Sequence, residues 1–102
     1  MIYKIARFTV KKTKLDECKK AISQFVHTVR AREPGTVLYE SFIEKDGVTF
    51  QHFMVFKDKR AEELHSGTKY VKAFTGFLYP NCSKKPVFTE LSMIASSRMR
   101  RK

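Results

Sequence analysis

The segment from Thr49 to Lys57 reads as a strand without a polar face. Phe50, Met54 and Phe56 fall on one side of it, together with His52, and Phe53 and Val55 fall on the other. The preceding strand, Thr36 to Glu44, behaves alike: Leu38 and Phe42 oppose Val37, Tyr39 and Ile43. Successive side chains of a strand point to opposite faces, so a sheet covered by helices on one side alternates apolar and polar residues. Here both faces are apolar, and the second one needs a cover. A second copy of the same sheet is the simplest candidate, which makes a homodimer the expected state. The length agrees: 102 residues make one domain with a modest core, to which a dimer interface adds apolar burial.

The remaining elements fall into place around these two strands. Ile2 to Val10, rich in β-branched and aromatic residues, is a first strand. Thr13 is placed to cap a helix beginning near Lys14, with Asp16 and Glu17 in its favourable first turn. Leu15, Cys18, Ile22, Phe25, Val26 and Val29 recur at helical spacing and define its buried stripe, and Pro34-Gly35 stops it. Lys45-Asp46-Gly47 is a hairpin signal. Asp58 caps a short helix through His65, which Ser66-Gly67 ends. Thr68 caps the next helix, in which Tyr70, Val71, Phe74, Phe77 and Leu78 share a face until Pro80 closes it. A fourth strand is expected over Val87 to Ile94. The order βαββαβ predicts an α+β, ferredoxin-like fold with an antiparallel four-stranded sheet. The domain is expected over residues 1–95, followed by a basic tail over 96–102.

Composition narrows the function classes. A hydrophobic content of 42% with nine Phe suits a globular fold rather than a disordered chain. No apolar run approaches the roughly 18 residues of a membrane span, and the start of the chain lacks a signal-peptide pattern, so a cytoplasmic protein without membrane contact is expected. Cys18 and Cys82 do not have metal-ligand spacing; Cys18 is expected buried and Cys82 exposed in a Pro-Asn-Cys-Ser loop. The net charge is +11, and Arg98-Met99-Arg100-Arg101-Lys102 holds four of the positive charges. Such an excess attracts polyanions, but the interleaved aromatic and basic pattern of a nucleic-acid-binding sheet is missing, so a nucleic-acid partner is not expected. There is no Gly-rich phosphate loop, Ser/His/Asp set or zinc motif.

Candidate chemical groups are few. His65, at a helix end, suits proton transfer because an unperturbed imidazole titrates at about 6.5; dipole compensation and carbonyl bonding are its structural alternative. His52 lies mid-strand among apolar neighbours and lines a pocket or bonds a neighbour, while His27 is expected to face solvent. Arg7, between Ala6 and Phe8, is either pocket-lining, where it would bind an anionic or phenolate oxygen, or ion-paired, with Glu40 or Glu90 as partner. Tyr39, Tyr70, Phe74 and Phe56 are the candidate walls of an aromatic pocket. Because the second helical segment is broken at Ser66-Gly67, that pocket is expected between helices and sheet within one subunit.

Three short motifs, Ala6-Arg7-Phe8, Glu33-Pro34-Gly35 and Ala61 followed four residues later by His65, occur in an order and spacing that resemble the antibiotic-biosynthesis-monooxygenase family. The resemblance implies a ferredoxin-like fold that pairs into a dimeric α+β barrel. It also implies an oxygenase without metal, flavin or other cofactor, acting on a quinol or other aromatic molecule that itself supplies electrons to oxygen. Where members usually carry Glu-x-Trp at the end of the third strand, this chain has Met54-Val55-Phe56, and the family's second His is matched by Tyr70. A haem-degrading subgroup relies on an Asn, a Trp and a His; this chain has no Trp, and its single Asn is Asn81. A non-catalytic dimeric barrel that binds a small ligand or partner is the alternative reading.

Overall fold

A computed structural model describes residues 1–98; the remainder of the basic cluster, and with it most of the expected tail, lies outside the described residues. The chain runs β1 (Ile2–Val10), α1 (Leu15–Arg32), β2 (Thr36–Ile43), β3 (Thr49–Phe56), α2 (Lys59–Gly67), α3 (Lys69–Leu78) and β4 (Cys82–Leu91). Short 3-10 turns precede α1 at Lys12–Lys14 and follow α3 at Tyr79–Asn81. The antiparallel sheet has the order β2-β3-β1-β4, the ferredoxin-like plan that the element order predicts.

Register sorts the strand residues between two faces. Ala6 lies opposite His52 and Phe88, Phe8 opposite Phe50, and Tyr39 opposite Met54. With Val10 and Phe56, these residues face the helices. Phe8, Val10, Phe50, Cys18, Ile22 and Leu78 form one buried cluster, and Ala6, Met54, Phe56 and Ala61 a second. The opposite face carries Ile5 against Phe53, and Arg7 against Val87. Phe42 and Val87 on that face are 56% and 67% exposed, so its apolar surface is uncovered within one chain.

Three local expectations are corrected. Thr13 caps nothing: the 3-10 turn takes its place, and α1 starts after Lys14 with no side-chain cap. The fourth strand begins at Cys82 rather than Val87 and ends at Leu91. Pro86 does not break it, because β4 is an edge strand where a missing N–H is harmless. Cys82 is therefore buried, not exposed, and packs in the first cluster beside Cys18.

The hairpin and helix caps follow the sequence. Gly47 adopts φ +78°, and the Asp46 carboxylate accepts bonds from the N–H groups of Val48 and Thr49. Asp58 accepts from Ala61 N–H at 2.8 Å and opens α2. Thr68 serves both helices at the break: its hydroxyl donates to the His65 carbonyl at 2.9 Å and accepts from Val71 N–H at 3.2 Å. This double cap ends α2 within three residues of His65 and fixes where that ring sits.

Close packing holds α2 against the start of β2. A Cβ built on Gly35 would meet Ala61 Cβ at 2.8 Å, and the Gly35 carbonyl accepts from Lys57 N–H at 2.8 Å. Neither partner is a flexible side-chain end, so an added methyl forces α2 outward. Gly35→Ala should lower unfolding free energy by about 1–3 kcal/mol through overpacking. Urea denaturation measures it, and an unchanged midpoint would contradict the contact.

Candidate functional site

A cavity of about 210 Å³ lies between the helix-facing side of the sheet and the helices, within a single chain. Phe8, Met54 and Phe56 line it from the strands, and Phe25, Phe74 and Leu78 from α1 and α3. Phe25 and Phe74 stack at 4.1 Å with ring planes 5° apart and join the two helices above the cavity. Polar side chains interrupt these apolar walls: the rings of Tyr39, His52 and His65, with Ser66, Thr75 and Tyr79 also in the lining. At one edge Lys4 of β1 and Glu62 of α2 form a partly exposed ion pair.

His65 is 8% exposed and held by a buried carboxylate. Its Nδ1 lies 2.8 Å from Glu33 Oε1 and donates to it in the neutral ring. Thr36 donates its hydroxyl to the same oxygen at 2.6 Å, and Tyr70 donates to Glu33 Oε2. Burial, followed by the bond to Glu33, pushes the Tyr70 phenol up to about 12, so it remains a donor. Glu33 thus ties the end of α1, the start of β2, α2 and α3 together. With Nδ1 engaged, His65 Nε2 has no hydrogen bond to the described residues and belongs to a ring that lines the cavity.

His52 is built differently. It is 1% exposed, and its Nδ1 bonds the Tyr39 hydroxyl at 2.8 Å. Its Nε2 is buried without a partner among the described residues. Burial lowers its pKa from 6.5 to about 4, so the ring is neutral at pH 7. Burial, reinforced by the charge of Glu33, holds the Tyr39 phenol protonated far above its usual range.

The fold brings His65, His52, Tyr39, Phe74 and Phe56 to one cavity. It does not bring Arg7 there. Ala6 and Phe8 take the inward positions of β1, and Arg7 faces the other way, 58% exposed by side chain, in a two-bonded pair with Glu44 at 2.6 and 2.9 Å. The partner is neither Glu40 nor Glu90. Tyr70 supports the site through Glu33 instead of lining the cavity. His27 is exposed on α1. Glu33 is the group that motif reading undervalues. A carboxylate at a helix C-terminus opposes the helix dipole, and that mismatch is a sequence signal for a residue kept by other contacts.

The family model of the antibiotic biosynthesis monooxygenases matches residues 1–76. The chain belongs to this family. No curated protein matches it. Among solved structures of the family, a putative antibiotic biosynthesis monooxygenase from Caulobacter crescentus is 25% identical, with a TM-score of 0.86 over 92% of this chain and 90% of that one. A putative member from Bacteroides thetaiotaomicron has a TM-score of 0.87 at 13% identity, covering 98% of this chain and 95% of that one. A variant of SnoaB, a cofactor-independent oxygenase from Streptomyces nogalater, has a TM-score of 0.81 at 16% identity, covering 96% and 97%. These likenesses extend the family's fold through β4.

The depressed His52 pKa gives this family member a definite acid response. Below about pH 6.5 the unfolded chain takes up a proton that the folded chain refuses until about pH 4. Stability present above that window is therefore lost as pH falls through it, on the order of 3 kcal/mol for this group. His52→Asn removes the titration. Urea unfolding at pH 7 and pH 4 should show the parent losing more stability than the variant; equal losses would mean that His52 protonates freely in the folded state.

Proposed function

We propose that the protein is a cofactor-independent monooxygenase acting on a quinol or another small aromatic molecule bound in the cavity between helices and sheet. The observation that carries this reading is a histidine backed by a buried carboxylate and opening on an aromatic-walled cavity of about 210 Å³. A cavity of roughly 150 Å³ already accommodates benzene, so one or two fused rings fit.

In this reading His65 Nε2 takes the phenolic proton of the substrate. The Glu33 carboxylate, bonded at Nδ1, orients the ring and stabilises the imidazolium that forms. The phenolate, richer in electrons than the phenol, reduces dioxygen directly. One oxygen atom enters the ring, the other leaves as water, and the quinol supplies all four electrons. Phe25, Phe74 and Phe56 enclose the ring and exclude water. The chemistry asks for no metal or flavin, and a cytoplasmic location belongs to the same reading.

The alternative, a dimeric barrel that binds a ligand without turning it over, is favoured by one feature. Met54 and Phe56, both buried at the cavity, stand where family members usually carry Glu and Trp. Oxygen uptake on a panel of quinols decides between the two. His65→Ala should lower the uptake rate about a hundredfold or more, the usual contribution of a positioned base. A parent that binds quinols but consumes no oxygen would establish the binding role instead.

The homodimer is part of the proposal. Phe42 and Val87 are exposed, and Ile5 and Phe53 half-buried, on the sheet face away from the helices. A second copy laid on this face would complete its burial and leave the cavity, on the helix side, clear of the seam. Light scattering should give a dimer at micromolar concentration, and Phe53→Asp should split or unfold it by burying an unpaired charge. A monomeric parent would remove the dimer from the proposal.

A further inference from the structure

Lys4 is out of place in its row. Ile2, Lys4, Ala6, Phe8 and Val10 alternate onto the helix-facing side of β1, and Lys4 alone among them is charged. It lies opposite Met54 and lines the same cavity. Its ammonium pairs with the Glu62 carboxylate of α2, and the two side chains are 28% and 17% exposed. Taking both charges out of most of their water costs about what their attraction returns, so two apolar side chains would serve stability as well. The pair calls for a role other than holding the fold.

Its position supplies one. Phe88 of β4 lies opposite Ala6 and so points to the helix side, yet it is 55% exposed. The helices therefore leave the β4 flank of the cavity uncovered, and a ligand enters there. Phe88 and Pro86 line that flank, and Lys4 stands on the adjacent strand, next in the inward row to Ala6. A ring lodged among the apolar walls leaves its outward substituent at this mouth, beside the Lys4 ammonium.

That ammonium has bonding capacity to spare. It carries three N–H donors, and Glu62 is its only partner among the described residues. Glu62 does not depend on Lys4 alone, because it occupies the first turn of α2, where the helix dipole favours a carboxylate. Lys4 can thus be shared between two carboxylates. Glu90, opposite Lys4 on β4, makes no ion pair with it and is exposed, so solvent screens its charge. The net charge of +11 draws anions towards the chain as a whole.

We propose that Lys4 is the binding site for an anionic substituent, so that the cavity takes aromatic carboxylates, ring inside and carboxylate on the Lys4 ammonium at the mouth. This rests on the cavity being the substrate site, and it adds a charge requirement that a quinol does not have. Lys4 is assigned to specificity and takes no part in proton transfer.

The test compares both naphthoate isomers with their carboxamides by calorimetry at pH 7. Each amide keeps the ring and the shape of its acid and lacks the charge. For at least one isomer the parent should bind the acid about tenfold more tightly or better, the worth of one charge-assisted hydrogen bond, and raised salt should shrink the difference. Glu62→Gln removes the competing carboxylate and keeps the ammonium, so the preference should grow. Lys4→Met combined with Glu62→Gln removes both charges without stranding either; the preference should vanish, with amide affinity within about twofold of the parent. Should the double variant fail to fold, the parent and Glu62→Gln still decide the matter. Acid and amide bound alike by the parent, a preference that stays level or falls in Glu62→Gln, or one that survives in the double variant would each overturn the assignment. Binding of the amides without preference removes the Lys4 site and leaves the cavity as a ring-binding site, whereas binding of no compound removes both. Oxygen uptake on hydroxynaphthoates separates this from the enzymatic reading: acid preference without uptake keeps the Lys4 site and removes the oxygenase.

Discussion

The carboxylate of Glu33 is the point on which the site depends. It sits at the C-terminal end of α1, where the helix dipole disfavours negative charge, and it is almost fully buried. A buried carboxylate persists only if its oxygens are bonded. Three donors meet that need, and each comes from a different element: Thr36 from β2, His65 from α2 and Tyr70 from α3. The bonds that satisfy the Glu33 oxygens are therefore the bonds that gather the elements around the cavity. Removing the carboxylate would release the orientation of His65 as well as the hydrogen bonds to Thr36 and Tyr70.

The break between α2 and α3 complements this network. Were the helix continuous past His65, it would lie along the sheet and fill the space now open. Thr68 ends one helix and starts the next with a single hydroxyl, so the chain turns within one residue without leaving polar groups exposed to the core. The turn sets His65 at the wall while α3 swings Phe74 over the cavity against Phe25. Rigid caps on both sides of the break make the cavity a property of the fold rather than of loop motion.

Element order, the split helix, the hairpin and the sorting of β3 residues onto two faces were legible in the sequence because each rests on local chemistry: caps at Asp58 and Thr68, φ > 0 at Gly47, and strand alternation. The start of β4 was not. Pro86 reads as a strand boundary, and only the knowledge that β4 lies at the edge, a long-range fact, removes the conflict. The burial of Cys82 follows from the same fact. Among the candidate site residues, the gathering of His52 and His65 depended on register, which apolar patterning supports but does not fix. The partner of Arg7 needed the pairing of β1 with β3 and the path of the hairpin, since Glu44 stands just beyond the last residue of β2. Glu33 was missed as a functional group because a motif ending in Pro-Gly draws attention to the turn and away from the acid before it.

The alternation of β1 also explains why the chain divides its polar chemistry between two faces. Ala6 and Phe8 are the inward neighbours of Arg7, and a strand cannot turn one residue inward without turning both neighbours outward. A guanidinium in the cavity would have offered a fixed charge beside the two imidazoles and favoured anionic ligands. Its removal to the outer face leaves His52 and Tyr39 neutral and Glu33 balanced by its own donors. Among the aromatic walls stand Tyr39 and the two imidazoles, while the Lys4 and Glu62 charges meet each other at the cavity's edge.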